Sequence, residues 1–372
     1  MRKPAVLLIL AAWVCAVSPD GGAQRRIIPR VPAFAGTHYP ADPNTLLSTL
    51  KSFHEAADAP EVPSFMAACI ASPAPYGLAG KISAHAFKNL QPGQYERVII
   101  LSSAHTVDIE GCSLPEVDAF LTPLGPVALD ADAVRKLVFS PLFTVQRLNY
   151  SGKANRRSQA HEFEHGIETL LPYLQERLLE FKLVPVLVGR LTTASGKFNP
   201  AAADTIANTI LPLLDDRTLL VVSSSFTHFG NDFSNRPFNE NIQANIERLD
   251  RRAFECVLSL DARSFQAYLE ETKNVIDGAN CIHILLRLLP PGAQARILAY
   301  ETSGALTGDA NRSVSFAAFT FHDPSRPAAT AQPDKVRPLP MPGMPPGSTP
   351  APPPSETPSA KEEKKEPPEK KP

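Results

Sequence analysis

Residues 97–105 read Arg-Val-Ile-Ile-Leu-Ser-Ser-Ala-His, and residues 218–228 read Thr-Leu-Leu-Val-Val-Ser-Ser-Ser-Phe-Thr-His. Each stretch is an apolar run without alternation that ends in serines and a histidine. A strand that is apolar on both sides fits a sheet covered by helices on both faces. The two stretches therefore favour an α/β fold, in which His105 and His228 lie just beyond strand ends, where such folds form their sites.

The rest of the chain supports the same fold class. Strand-like runs alternate with segments of helical periodicity, which predicts one α/β domain with a central, largely parallel β-sheet flanked by helices. The predicted strands are 66–72, 97–103, 182–189, 218–224, 296–301 and 313–321. The predicted helices are 43–56, 163–179, 200–214, 239–258, 262–271 and 278–289, and Pro172 is expected to kink or break the second of these.

The two ends of the chain differ from its middle. Residues 1–23 have a basic start, an apolar run and small residues at 21–23, which is typical of a secretory signal peptide, and the run is too short to span a bilayer comfortably. Residues 323–372 hold 16 of the 38 prolines, a composition that predicts a disordered, charged tail. We therefore expect an exported protein, periplasmic or extracellular, with one domain over 33–322 and no transmembrane span after signal cleavage.

Composition and missing motifs exclude several functions. With 37 basic and 38 acidic residues, nothing indicates binding to nucleic acid. The sequence lacks G-x-G-x-x-G after a strand, the G-x-x-x-x-G-K-[ST] loop and the G-x-S-x-G turn of serine hydrolases. Cys69, Cys112, Cys256 and Cys281 are scattered, which favours buried thiols over a disulfide framework.

One stretch has the spacing of a zinc-protease motif. His161, Glu162 and His165 form H-E-x-x-H, which on a helix would place two imidazoles on zinc while the glutamate activates water. Phe163 and Ile167 belong to the apolar stripe of the same predicted helix, so the sequence leaves open whether both histidines point the same way. Further along, Asp277 precedes an apolar-periodic segment and is expected to cap its helix.

Taken in order, seven stretches resemble motifs of the Memo-like family, also called AmmeMemoRadiSam system protein B. The family motifs are A-G-S-W-Y-P-A-D, P-H-A-G-Y, S-H-H, E-H-S-I-E with L-P-F-L, I-P-V-L-V-G, S-S-D-F-x-H-W-G and S-V-S-Y-A-A. Their counterparts here are 35–42, 72–80, 100–105, 164–174, 184–189, 223–230 and 313–318. Each motif is weak alone, but the ordered series is specific and covers residues from about 33 to 321.

The resemblance implies a fold like that of class III extradiol ring-cleaving dioxygenases, which use non-haem Fe(II) held by imidazole and carboxylate ligands. It also implies a cleft with histidines and a cysteine, of a kind linked to metal binding and redox chemistry. This chain departs from the family at those positions. Pro73 and Ala104 stand where the family has histidines, Ser225 where it has aspartate, and Asp277 where it has cysteine.

These departures lead us to expect a degenerate metal site, no resident cofactor, and binding of a small molecule or partner without catalysis. One alternative is a metal-dependent redox or dioxygenase-like enzyme, using Fe(II), Cu or Zn on a rearranged His105, His228 and Asp277 set. The other is a zinc hydrolase using H-E-x-x-H. The candidate cleft residues are His105, His165, His228, Asp277, Ser225 and Tyr76.

Overall fold

The computed structural model of the protein describes residues 27–149, 157–337 and 339. The predicted signal peptide and the tail from residue 340 onward lie outside these residues and stay predictions. Among the described residues, no helix has the length and hydrophobicity needed to cross a bilayer. The four cysteines in this part of the chain are free thiols. Cys69, Cys112 and Cys281 are buried, and Cys256 is half-buried.

The described chain contains fourteen strands and nine α-helices. The strands are β1 (Pro29–Arg30), β2 (Ser64–Ala71), β3 (Arg97–Ser103), β4 (Cys112–Ser113), β5 (Ala119–Thr122), β6 (Gly125–Ala128), β7 (Phe143–Thr144), β8 (Arg147–Asn149), β9 (Arg157–Gln159), β10 (Lys182–Val188), β11 (Thr218–Ser223), β12 (His228–Phe229), β13 (Gln294–Thr302) and β14 (Ser313–Pro327). The helices are α1 (Pro43–Ala56), α2 (Tyr76–Phe87), α3 (Ala131–Val138), α4 (Leu171–Leu178), α5 (Pro200–Ile210), α6 (Ile242–Leu258), α7 (Ala262–Thr272), α8 (Ala279–Leu288) and α9 (Ser303–Thr307).

The central sheet runs in the order β12-β14-β2-β11-β3-β10-β4-β7, with β13 also paired to β14. The four inner strands β2, β11, β3 and β10 are parallel, whereas β14 and β4 join them antiparallel. The predicted fold class is therefore confirmed as a mixed α/β domain with a central sheet flanked by helices. The parallel strands bring the ends of β2, β3 and β11 to the same edge.

Both faces of the sheet are covered, as the continuous apolar strands predicted. On β3, Ile99 and Leu101 pack into one hydrophobic core, with residues of α5, α6, α7 and α8. Val98 and Ile100, which alternate with them, pack into a second core with residues of α1, α2 and α4. A strand that contributes to two cores must be apolar at every position, which explains why its sequence does not alternate.

The predicted helix over 163–179 is wrong in its first half. The chain forms a 3-10 turn at Ala160–Glu162, another at Glu168–Leu170, and only then α4. Pro172 lies in the first turn of α4, where a proline fits because its missing N–H would have no helical partner. It therefore helps to begin a helix instead of kinking one.

Helix α2 was not predicted, because it has apolar or small residues on most sides and no clear stripe. Seven of its twelve residues are buried, and the helix packs between α1 and the sheet. Gly80 lies against the ring of Phe53, and a β-carbon there would collide with that ring. A side chain at position 80 would therefore force the ring of Phe53 to move where α1 and α2 cross.

The predicted start of the tail at residue 323 is also wrong. Strand β14 continues to Pro327, and the buried Asp323 pairs with Phe65 of β2. The register of β14 shifts in this segment, which accommodates prolines that cannot donate to the ladder. After the strand, the Gln332 N–H donates to the Pro92 carbonyl at 2.9 Å, so the chain stays against the domain for several more residues.

One buried histidine of α8 has no hydrogen-bond partner among the described residues. His283 is 1% exposed and lies between aromatic rings, stacked on Phe198 with 4.1 Å between ring centroids and edge-on to Phe265. Burial lowers the pKa of His283 to about 3, and the charge of Arg287 acts in the same direction. The folded protein therefore keeps this ring neutral in mildly acidic solution.

We expect the free energy of unfolding to depend less strongly on pH in a His283→Leu variant than in the wild type. The unfolded chain takes up a proton here below the ordinary pKa of 6.5, while the folded chain does so only near 3. Between these values the free energy of unfolding falls with falling pH, by about 1.4 kcal/mol per pH unit for one such group. Urea unfolding measured from about pH 7 to about pH 4 should give a shallower slope for the variant.

The matched control for this experiment is Ile284→Val, a change at the neighbouring buried position of α8. It should lower the free energy of unfolding by about 0.5–1.5 kcal/mol at every pH and leave the slope unchanged. Equal slopes in the wild type and His283→Leu would contradict the neutral, unpartnered state of His283.

Candidate functional site

The site lies at the carboxyl edge of the sheet, where the segments after β3 and β11 meet the segment before α8. Asp277 connects them. Its Oδ1 accepts hydrogen bonds from the backbone N–H of Ser225 at 2.8 Å and of Gly278 at 2.6 Å, and its Oδ2 lies 3.2 Å from Nε2 of His105. The expectation that Asp277 caps α8 is wrong. The N-cap residue of this helix is Gly278, which has no side chain with which to cap it.

A second carboxylate holds the other side of His105. The chain after β3 wraps around Glu164, which accepts from the backbone N–H groups of His105, Thr106 and Val107 at 2.7–3.1 Å. The Thr106 hydroxyl donates to Glu164 as well, and Nδ1 of His105 lies 3.2 Å from Oε2. The His105 imidazole therefore lies between two carboxylates, one at each ring nitrogen.

The charges of the trio of His105, Glu164 and Asp277 follow from the contacts of these residues. Burial alone would lower the pKa of His105, but the hydrogen bonds and charges of Asp277 and Glu164 raise it to about 10. Burial would raise the pKa of each carboxyl group, yet both pKa values lie below their usual range because of His105 and the backbone donors. At neutral pH the trio is an imidazolium between two carboxylates.

Two more imidazoles continue from His105 in a row. The ring centroids of His105 and His165 are 4.6 Å apart, and those of His165 and His38 are 5.0 Å apart. Burial, together with the charges of His105 and His38, lowers the pKa of His165 to about 4. The sequence analysis does not name His38 as a cleft residue, because the resemblance aligns it with a tryptophan. The signal that could have identified His38 is an imidazole at a position where the family has an aromatic ring.

The remaining predicted residues have other roles. His228 directs Nδ1 to the carbonyl of Phe226 at 2.8 Å, and its charge contributes to the lowered pKa of Asp277. The hydroxyls of Ser225 and Ser72 are 2.7 Å apart, so they satisfy each other inside the domain. Tyr76 is buried and donates its hydroxyl hydrogen to the carbonyl of Thr169 at 2.9 Å, which makes it a packing residue at one wall of the cleft.

Of the alternative metal set of His105, His228 and Asp277, the fold brings His105 and Asp277 together, with Nε2 and Oδ2 3.2 Å apart. Within the described residues, the group whose donor atoms all lie within 4.8 Å of one another is His105, Glu164 and His165. His228 is not part of this group, and its Nδ1 lies 2.8 Å from the carbonyl of Phe226.

The H-E-x-x-H stretch does not form a zinc-protease site in this fold. His161 is 2% exposed, its Nε2 donates to the carbonyl of Ser113 at 2.9 Å, and burial lowers its pKa to about 3. Glu162 is exposed and accepts from the backbone N–H of Gln159 at 3.3 Å. The two histidines are not on one helix face, because the 3-10 turn ends at Glu162.

The residues at the family ligand positions do not fit the metal that the resemblance implies. Pro73 and Ala104 have no donor atom in their side chains. The nearby thiol of Cys281 is buried, and burial raises its pKa to about 12, so it stays protonated. Its neighbour Ser103 directs its hydroxyl to the Asp277 carbonyl and lies 3.8 Å from the sulfur.

Two cavities flank the row of imidazoles. One, of about 460 Å³, is polar and is lined by His105, Asp277, Asn280 and Arg190 among others. The other, of about 350 Å³, is lined by His38 and by aromatic residues that include Phe53. The cleft thus offers charged groups and hydrogen-bonding groups at one end and aromatic surface at the other.

Comparisons with known proteins agree with this architecture. The profile of the family described as Memo-like protein matches residues 30–320. Protein MEMO1 of Mus musculus is 30% identical over 274 residues, which cover 72% of this chain and 86% of that protein. The memo-1 homolog of Caenorhabditis elegans is 30% identical over 264 residues, which cover 67% of this chain and 71% of that protein.

The chain is therefore an α/β protein of the Memo-like family, as the ordered motifs predicted. Among solved structures, an uncharacterised protein, JW3007 from Escherichia coli K12, superimposes with a TM-score of 0.42 at 12% sequence identity. That superposition covers 68% of this chain and 99% of the other.

A buried ion pair holds the segments that carry the site. Arg30 and Glu168 are paired, with 1% and 0% of their side chains exposed. Glu168 also accepts from the Tyr39 hydroxyl at 2.6 Å and from the backbone N–H of Phe34 at 2.8 Å. The Arg30 guanidinium donates in addition to the carbonyl of Glu164 at 3.1 Å. The pair thus connects the N-terminal segment to the loop that carries Glu164.

We expect Glu168→Gln and Arg30→Met each to lower the free energy of unfolding by about 3–5 kcal/mol, because each leaves one buried charge without its partner. The double variant should be less destabilised than the sum of the two, since neither charge then remains. Urea unfolding of the four proteins measures the coupling. Strictly additive losses would show that the pair does not act as a unit.

Proposed function

We propose that this protein is an exported member of the Memo-like family that binds a small molecule or a partner in its cleft and does not catalyse a metal-dependent reaction. The observation that carries the proposal is the protonation of His105. Both of its ring nitrogens face carboxylates, at 3.2 Å from Glu164 and 3.2 Å from Asp277. A protonated imidazole has no lone pair for a metal.

The replaced ligand positions support the same proposal. Pro73 and Ala104 remove two of the imidazoles that the family motifs place around His105, and a fold persists readily when its chemistry is lost. What remains is a preformed cleft with a charged end and an aromatic end, a combination typical of ligand sites.

The alternatives have less support. A zinc hydrolase would need His161 and His165 on one helix face, and the chain there is not a helix. A redox enzyme built on His105, His228 and Asp277 would need a ring nitrogen of His105 with a free electron pair, but both ring nitrogens face carboxylates at 3.2 Å.

Catalysis is tested by dissolved-oxygen uptake. The full-length protein is supplied in turn with Fe(II), Cu and Zn, with a catechol panel and a reductant as probes. We expect the wild type to consume oxygen no faster than His105→Ala, because no open metal position exists at the family ligands. Turnover that is lost in His105→Ala but kept in His85→Ala, a histidine on the surface of α2, would overturn the non-catalytic proposal.

Export is tested separately by the N-terminus of the protein produced in a bacterium with a periplasm. We expect protein in the periplasmic or culture fraction to begin near residue 24, because small residues at 21–23 precede that position. An Ala23→Arg change should leave the uncleaved chain with the membrane fraction. A cytoplasmic chain that retains residue 1 would contradict export.

A further inference from the structure

A separate cavity lies at the end of the domain opposite the cleft. It measures about 470 Å³ and is lined by the loop before β2, the beginning of β2, the C-terminal end of α2 with the turn after it, and parts of β13 and β14. Ser64 and Met66 at the beginning of β2 belong to its wall, whereas the cleft forms beyond Ala71 at the other end of that strand. Its volume is in the range of small-molecule sites.

Three buried polar side chains of the wall have an unused hydrogen-bonding group. Thr320, His322 and Gln94 line the cavity and are only 5%, 6% and 9% exposed. In the part of the chain that the structure describes, the Thr320 hydroxyl, Nε2 of His322 and the amide nitrogen of Gln94 have no hydrogen-bond partner. Buried polar groups are rarely left unpaired, because an unpaired donor or acceptor destabilises the folded chain. Three such groups around one cavity indicate a place for a molecule that pairs with them.

Contacts outside the cavity determine which atom two of these side chains present to it. Oε1 of Gln94 accepts from the backbone N–H of Gln91 at 3.0 Å, which leaves its amide nitrogen for the cavity. Burial and the charge of Arg296 lower the pKa of His322, so its ring is neutral at pH 7. Nδ1 of His322 lies 3.5 Å from the carbonyl oxygen of Ser64, and a neutral ring that donates there has its lone pair on Nε2. The cavity thus has one fixed donor and one fixed acceptor.

Asn89 and Thr320 add to this pair. The side-chain nitrogen of Asn89 donates to the carbonyls of Ala59 and Pro60 at 3.1 and 3.0 Å, which leaves the side-chain oxygen as an acceptor. The Thr320 hydroxyl can both donate and accept. The wall therefore combines a hydroxyl, an amide donor and two acceptors. This set matches the hydroxyl groups of a ligand, because each hydroxyl also donates and accepts.

The charge of the wall limits the class of ligand. Apart from imidazoles, Glu61 is the one ionisable side chain among the described lining residues, and it is exposed. An anionic ligand would therefore find no lysine or arginine to pair with. Met66, Ala86 and Leu298 contribute hydrocarbon surface to the same wall. A neutral molecule with hydroxyl groups on a hydrocarbon frame suits this combination.

We propose that this cavity is a second binding site, which takes a neutral polyhydroxylated molecule of the size of a monosaccharide or a cyclitol. Thr320, His322 and Gln94 bind its hydroxyl groups, and the apolar part of the wall contacts its carbon frame. Binding changes no covalent bond. The site goes beyond the function proposed for the cleft and does not depend on it, because the two sites share no residue.

The ligand class is tested on the full-length protein by saturation-transfer NMR, followed by calorimetric titration of any probe that binds. The neutral probes are methyl glucopyranoside, methyl galactopyranoside, myo-inositol and trans-cyclohexanediol, and the anionic counterparts are gluconate and glucuronate. We expect saturable binding of at least one neutral probe and none of the anionic counterparts, since no lysine or arginine lines the cavity. Absence of binding by every neutral probe, or tighter binding of an anionic counterpart, overturns the proposal.

Two variants locate the bound probe. Thr320→Val removes the hydroxyl but keeps the branched shape that suits a strand, and Gln94→Glu removes the amide donor but keeps an oxygen for the Gln91 N–H. Each should weaken binding of the neutral probe by about 3- to 10-fold, and Thr320→Ser should recover most of the loss. Melting temperatures verify that the variants fold.

The matched control is Thr144→Val, the same change at an exposed position of β7 outside the cavity, which should bind as the wild type does. If the wild type, Thr320→Val and Gln94→Glu bind the probe with equal affinity, the probe lies elsewhere and the assignment of the site is wrong.

Discussion

The buried pair of Arg30 and Glu168 is the constraint on which the cleft depends. An arginine and a glutamate without solvent are tolerated only when every donor and acceptor is used, because an unpaired buried charge costs several kcal/mol. Here the remaining acceptor capacity of Glu168 goes to the N-terminal segment, and the remaining donors of Arg30 go to the carbonyls of His161 and Glu164. The ion pair thereby holds the loop over 160–170 in a single arrangement, and that loop carries two of the central cleft residues.

That loop packs against the ends of β3 and β11. The serines there are buried, and their hydroxyls are satisfied locally: that of Ser223 donates to the carbonyl of Gly166 at 2.8 Å. A β-carbon at Gly166 would collide with the hydroxyl of Ser102, so the loop approaches the sheet as closely as the backbone allows. This close packing places His165, the residue before Gly166, beside the ends of β3 and β11.

Local signals predicted the fold well, whereas long-range contacts decided the site. The predicted bounds of the four inner strands agree with the observed ones to within two residues. The prediction works because a strand covered on both faces must be apolar at every position, and this gives a continuous apolar run in the sequence. The loop at 163–170 was taken for a helix because its apolar spacing is helical, but the contacts of Arg30 and Glu168 override that local tendency. Glu164 is separated from the loop that it holds by nearly sixty residues, and no short-range pattern in the sequence reports such a contact.

Strand β14 runs antiparallel to β2, so its last residue, Pro327, lies beside Ser64 at the beginning of β2. The cleft forms at the other end of β2, beyond Ala71. The described chain beyond β14 stays at the end of the domain opposite the cleft, where the Gln332 N–H donates to the Pro92 carbonyl. A partner that bound residues 332–337 would therefore contact the domain at the end opposite the cleft.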